Sequence, residues 1–354
     1  MNVIDDCLRQ LTSKNGSDLH YIAGQPPRIR VYGDLQPIDS DILAADDVSD
    51  ALTQIMSAQM RKEFDERDSV DFAYAVEGVA RFRVNVFRHL GGMGSVMRSI
   101  PSQAKTLEDL SMPPVLANLC RHTQGMILVT GKTGSGKSTT LAAMIDEMNR
   151  TMNGHILTIE DPIEFVHERK RCLMSQREIG KHTPSFAAAL HSALREDPDV
   201  ILVCEMRDLE TMSIAVTAAE MGILVMGTLH TNGASATVDR IVNTFPADKQ
   251  AHVRTMLSTS LRGVISQQLV PKLGQPGLVA VLEVLVNTPA VANVIRQGKL
   301  DQLQNTMMVG RKDGMITMDT ALKESVQNGI ISGSSAYHAA IEKRNFENMK
   351  DMDE

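Results

Sequence analysis

The spacing of apolar residues changes character along the chain. At the start, Ile4, Cys7, Leu8 and Leu11 recur at helical spacing and predict a short amphipathic helix, ended by the Asn15-Gly16 turn signal. Short extended runs follow: DLHYI (18–22), RIRVYG (28–33), DFAYAV (71–76), VARFRVNVF (79–87) and GSVMRSI (94–100). Glu77-Gly78 sits between two of them as a hairpin turn. Residues 1–100 are therefore expected to form a small α/β domain with an antiparallel sheet. IPSQAKTLEDLSMPP, with Pro101, Pro113 and Pro114, falls within a stretch read as a linker, 101–122.

From residue 123 the pattern becomes apolar runs separated by helical stretches. MILVT (126–130), HILTIE (155–160), VILVCE (200–205) and ILVMGTLH (223–230) are strands of the fully buried type, which predicts a mostly parallel sheet with helices on its faces. Beyond about residue 288 the chain reads as helices, with the second domain taken to residue 345. The last residues, 346–354, are charged and expected to be disordered.

The apolar run ending at Val129 leads into GKTGSGKSTTLAAM (131–144), where Gly131, Gly136, Lys137 and Ser138 fit the spacing G-x-x-x-x-G-K-[ST]. The chemistry needs this order. Glycines allow backbone N–H groups to converge on phosphate oxygens, and the helix that follows adds the positive end of its dipole. Thr133, Gly134, Ser135, Gly136, Lys137, Ser138 and Thr139 are thus the expected nucleotide-binding residues, with Lys137 reaching the β and γ phosphates and Ser138 on Mg²⁺.

Other residues join this loop at the expected carboxyl edge of the sheet. HILTIEDPIEFVH (155–167) carries Glu160, Asp161 and Glu164, one of which would orient the attacking water. DPDVILVCEMRD (197–208) has the form of a metal-binding strand end with Glu205 as its acid; the preceding Cys204 is a poor ligand for a hard cation. A fourth apolar strand ends in His230, on the γ-phosphate side. In VARFRVNVFR, Phe82, Val84 and Val86 alternate with Arg81, Arg83 and Asn85, giving one core face and one basic face. Arg81 and Arg83 are candidates to stabilise γ-phosphate charge in a neighbouring subunit, with Arg195, Arg207 and Arg240 as further candidates.

Composition narrows the use of the nucleotide. A chain of 354 residues suits two domains. Its net charge of −7, absence of Trp and few aromatics argue against a nucleic-acid motor. Cys7, Cys120, Cys172 and Cys204 form no C-x-x-C pair, so neither a zinc site nor a disulfide framework is indicated, and they read as reduced cytosolic thiols. The 22 methionines are read as core filler. No apolar run reaches the ~18 residues that span a bilayer, and the amino-terminal residues do not read as a signal peptide.

GSDLH (16–20), GQPPRIRVYGDL (24–35), GVARFRVNVFR (78–88), the phosphate loop, HILTIEDPIEFVH, SALREDPDVILVCEMRD (192–208) and GTLHTN (227–232) together resemble the retraction ATPases of type IV pili, in the secretion-ATPase superfamily. The resemblance covers residues 1–345. It implies a PAS-like domain followed by a RecA-like ATPase domain, a cytoplasmic homohexameric ring that hydrolyses ATP with Mg²⁺, and docking on an inner-membrane pilus platform protein at the base of the fibre. It makes Glu164 the catalytic glutamate, Glu205 the metal-side acid and His230 the histidine of the family's His box. Cys204 replaces the family's usual Gly, and AVANVIRQ (290–297) matches only loosely the stretch typical of the principal retraction motor. QQLVPK and VLEVLVNTP are equally similar to the accessory retraction ATPase, so the principal and accessory readings both stand, with a paralogous ATPase as a partner in the second. Pilus-assembly and type II secretion ATPases usually carry an additional N-terminal domain and often a tetracysteine insert. A ring helicase is a remoter alternative.

Overall fold

The computed structural model describes residues 3–31, 33–39, 41–100 and 104–350. Tyr32 of RIRVYG, Pro101 at the head of the expected linker, and residues 351–354 of the expected tail lie outside them. The chain divides into two compact units, Met1–Ser102 and Gln103–Glu354.

In the first unit the elements are α1 (Val3–Ser13), β1 (Asp18–Ile22), β2 (Arg28–Val31), β3 (Asp34–Pro37), α2 (Ala45–Ile55), α3 (Ala58–Arg67), β4 (Ser69–Val76), β5 (Ala80–His89) and β6 (Gly92–Ile100). Helix α1 buries Ile4, Cys7, Leu8 and Leu11, the face that the spacing predicts. The six strands form an antiparallel sheet in the order β3-β2-β1-β6-β5-β4. Along β5 the alternation holds: Phe82, Val84 and Val86 are buried, while Arg83 is exposed and Arg81 half-buried. Each buried side chain of this kind contributes about 1.5–3 kcal/mol relative to exposure. Helices α2 and α3 lie between β3 and β4 and carry no prediction above.

The second unit contains α4 (Pro114–Leu119), β7 (Gly125–Thr130), α5 (Lys137–Thr151), β8 (His155–Glu160), β9 (Leu173–Glu178), α6 (Phe186–Ala193), β10 (Val200–Val203), α7 (Leu209–Glu220), β11 (Leu224–Leu229), α8 (Ala234–Thr244), α9 (Ala247–Ser260), β12 (Leu261–Pro271), β13 (Leu278–Val286), α10 (Pro289–Gln297), α11 (Leu303–Val309), α12 (Met318–Gln327) and α13 (Gly333–Ala339). Its seven-stranded sheet runs β13-β12-β7-β11-β10-β8-β9, parallel throughout except for β13. Every residue of β7, β10 and β11 is buried, because helices cover both faces of a parallel sheet.

Two expectations are corrected. Within the stretch expected to link the domains, Leu107, Leu116, Leu119 and Cys120 are buried in one core cluster with Ile127 and Val129, so residues 104–122 pack as part of the second unit. The tail expected to be disordered from 346 begins in a 3-10 helix, Lys343–Met349, whose Phe346 is fully buried beside Val270 and Leu322. One aromatic side chain with a core to enter outweighs the charge around it.

The parallel register explains what gathers at the carboxyl edge. Leu229 of β11 pairs with Thr130 of β7, and Val203 of β10 pairs with both Gly227 of β11 and Ile159 of β8. These strands therefore stop within a residue or two of the same level. The segments that follow them, carrying Gly131–Lys137, Glu160–Glu164, Glu205 and His230, emerge side by side, where open α/β sheets place ligands.

Candidate nucleotide site

The phosphate loop runs from β7 into α5. Gly136 caps the helix with φ of 86°, and Gly131 has φ of 142°, both in the region that favours glycine. Space for a side chain is also short, against backbone at Gly131 and against a glutamine side chain at Gly136. A Cβ at Gly131 would lie 2.4 Å from the Gln267 carbonyl oxygen, and one at Gly136 2.7 Å from Gln267 Nε2. Thr133 and Gly134 are exposed at the loop tip; Ser138 and Thr139 are half-buried in the first turn of α5.

Lys137 is buried, and its ammonium donates to the carbonyls of Gly131, at 2.9 Å, and Lys132, at 3.0 Å. It thus crosses the mouth of its own loop. Burial lowers its pKa from the ordinary lysine value, while the charges of Glu205 and Glu164 push the other way, which places both carboxylates in its electrostatic neighbourhood.

The acids take different positions. Glu160 ends β8 inside the protein: its Oε1 accepts from Thr158 Oγ1 at 2.6 Å and from Gln176 Nε2 at 3.1 Å, and its Oε2 accepts the Glu164 backbone N–H at 3.4 Å. Burial raises its pKa against those hydrogen bonds. Glu164 and Asp161 are exposed, and the Glu164 carboxylate has no hydrogen bond or ion pair among the described residues.

Glu205 follows β10 and is held on two sides. His230 Nε2 is 2.9 Å from its Oε1, Arg207 Nη2 donates to its Oε2 at 2.6 Å, and Arg207 Nε pairs with Oε1. Burial alone would raise its pKa; hydrogen bonding by Arg207 and the charges of His230 and Arg207 outweigh that and hold it below the usual carboxylate value. The neighbouring Cys204 thiol is pushed up to about 12, mainly by burial and then by Glu160 and Glu164, so it is neutral and offers a hard cation nothing. The Cys204 carbonyl accepts from Thr228 Oγ1 on β11, which ties these two strand ends together.

The structure therefore brings together the phosphate loop, Glu164, Glu205 and His230. Arg81 and Arg83 are on β5 in the other unit; Arg195 and Arg240 are exposed in the second unit. Arg207 proves to be a partner of Glu205. Sequence reasoning missed Gln267, whose buried amide donates to the Ser135 carbonyl at 2.6 Å and accepts from Thr140 Oγ1 at 2.6 Å. Nothing in its own segment, LRGVISQQLVP, marks it.

A glycine-turned loop opening a helix at the carboxyl edge of a parallel sheet, with a buried lysine and carboxylates on adjacent strand ends, defines a phosphate-loop nucleotide-binding domain with a RecA-like ATPase fold. The chain belongs to the type II/IV secretion system protein family, whose model matches residues 2–313. It is 50% identical, over 343 residues covering 97% of this chain and 99% of the relative, to the type IV pilus retraction ATPase PilT of Pseudomonas aeruginosa. It is 41% identical to the type IV pilus ATPase PilU of the same organism, covering 93% and 86% of the two chains. A crystal structure of the pilus retraction motor PilT with bound ADP superposes with a TM-score of 0.92 at 43% identity, covering 98% of this chain and 99% of that one.

Proposed function

We propose that this protein is a Mg²⁺-dependent ATPase that works as a homohexameric ring and powers retraction of type IV pili. The observation that carries this reading is the 50% identity to a retraction ATPase over nearly the full length of both chains. The site residues support it. The loop and Lys137 bind the β and γ phosphates. Glu164, with its exposed and unpaired carboxylate, orients the attacking water, whereas Glu160 is buried and its carboxylate already accepts from Thr158, Gln176 and the Glu164 N–H.

Ser138 in the first turn of α5 and Glu205 are the residues that would hold Mg²⁺ beside the nucleotide, and their chemistry fits, since a hydroxyl and an ionised carboxylate are the oxygen donors a hard cation takes. Bound there, Mg²⁺ supplies charge neutralisation at the β and γ phosphate oxygens. His230 positions Glu205, and Arg81 and Arg83 act across a subunit interface.

The load is the pilus. The ring sits in the cytoplasm at the inner-membrane base of the fibre, docks on a platform protein and removes pilin; no helix among the described residues is long and apolar enough to cross a membrane. No nucleic acid is involved. Higher identity to the retraction ATPase than to PilU favours the principal motor over the accessory one that works beside a paralogous ATPase. Deleting the gene tests all of this. Cells should keep or accumulate surface pili and lose twitching. Loss of force only under load indicates the accessory motor, and absence of pili in a background where retraction is also blocked means assembly instead.

A further inference from the structure

Gln267 stands on β12, beside the strand that feeds the phosphate loop, and is 2% exposed. Its amide spends both ends on the loop and its helix: Nε2 donates to the Ser135 carbonyl, and Oε1 accepts from Thr140 Oγ1. Its backbone carbonyl occupies the space that a Cβ at Gly131 would need, and its Nε2 the space of one at Gly136. The two glycines and the glutamine thus form one fitted unit.

The consequence follows from peptide geometry. The carbonyl of Ser135 and the N–H of Gly136 belong to one planar trans peptide and point in opposite directions. Fixing that carbonyl on Gln267 turns the Gly136 N–H away from the strand. This N–H has no protein acceptor among the described residues. We propose that Gln267 is a positioning residue for nucleotide phosphate, aiming the Gly136 N–H by holding the Ser135 carbonyl, without touching the ligand itself. The proposal rests on the phosphate loop binding nucleotide.

An N–H that meets the phosphate in ground state and transition state alike affects binding rather than turnover. The test uses the full chain, with ADP titrated by calorimetry and ATP hydrolysis measured in parallel, well below the melting temperature of each variant. Gln267→Leu removes both bonds, and Gln267→Glu keeps the shape and the Thr140 acceptor but loses the donor to Ser135. Both should weaken ADP binding and raise KM for ATP by about tenfold, the scale of one lost hydrogen bond. In both, kcat should change less than about threefold. Thr140→Val removes the other partner and leaves the Ser135 bond, so its KM should stay within about twofold of the wild type. Should one glutamine variant fail to fold, the other carries the test. Equal losses in Thr140→Val and the glutamine variants would mean general packing, and overturn the proposal. Glutamine variants that bind ADP normally while Lys137→Ala does not would overturn it and leave nucleotide binding standing. A wild type that binds no ADP would remove the nucleotide reading itself.

Discussion

His230 Nε2 lies 2.9 Å from Glu205 Oε1, joining the ends of two adjacent parallel strands. The sequence presents these residues as separate candidates, one for the metal and one for the γ-phosphate side. In the structure they form a single unit with Arg207, in which the imidazole and the guanidinium together hold the carboxylate.

Residues that act as a unit lose function together. Glu205→Gln and His230→Ala should each lower kcat by about 10- to 100-fold, and the double variant by little more than the worse single one. Glu205→Gln should also raise the Mg²⁺ concentration that gives half-maximal activity. Steady-state ATPase assays across Mg²⁺ concentrations check this, and losses that multiply in the double variant would separate the two roles.

Glu164 and Glu160 should fail in different ways. Glu164→Gln removes an exposed charge and leaves the fold untouched, so ATP should stay bound while hydrolysis falls by about 100-fold or more. Glu160→Gln can keep the Thr158 and Gln176 bonds through its amide oxygen only by turning its NH₂ toward the Glu164 N–H, which leaves two buried donors facing each other at a cost of about 1–3 kcal/mol. It should lower the melting temperature. Filter-binding with labelled ATP and thermal melts separate the cases, and a stable, inactive Glu160→Gln beside an active Glu164→Gln would transfer the water-orienting role.

What the sequence shows of this depends on how each segment is buried. MILVT and VILVCE are legible because strands buried on both faces are apolar throughout. Strand β12 is not, because Ser266, Gln267 and Gln268 interrupt it. Ser266 accepts the Gly233 N–H and Gln267 holds the phosphate loop, so its polar residues serve loops beyond the strand. Helix α3, AQMRKEFDER, buries only Phe64 and so has no apolar stripe to detect. The loop motif names its own residues, since their order is the chemistry. The partnership of Glu205 with His230 and Arg207 and the enclosure of Glu160 by Thr158 and Gln176 arise from strand register and side-chain reach, which local spacing does not contain.

His167 sets a pH dependence of stability. Burial lowers its pKa to about 4, with Asp146 opposing and Lys170 adding to the effect, so the folded ring stays neutral where an unfolded one at 6.5 takes up a proton. Stability from this residue is complete above about pH 6.5 and is lost as pH falls to about 4, by at most ~3 kcal/mol. Glu160 and Glu283, whose carboxyls burial raises, contribute the opposite slope above their unfolded value, so the wild type must be compared with a variant. Denaturant melts between pH 4 and 7 should show a shallower acid loss in His167→Leu, and equal slopes would remove His167 as the cause.

The basic face of β5 gives the last prediction. Arg83 is half exposed and meets Asp71 only at 3.9 Å, an ion pair worth about 1 kcal/mol or less. Its substitution should therefore leave the fold intact, and any loss of activity must come from elsewhere. It belongs to a unit separate from the phosphate loop, and a guanidinium supplied by a neighbouring subunit would stabilise γ-phosphate charge there. Arg83→Ala and Lys137→Ala should each be inactive alone. Mixed at random in a ring, about a quarter of interfaces pair an intact loop with an intact arginine, because each interface draws one part from each neighbour. ATPase activity should then reappear, to about that fraction of the wild-type rate if interfaces fire independently. Mass measurement of the mixed rings must confirm that both variants are present. If verified mixed rings stay inactive, Arg83 does not act in trans, and Arg81 is tested next by the same pairing.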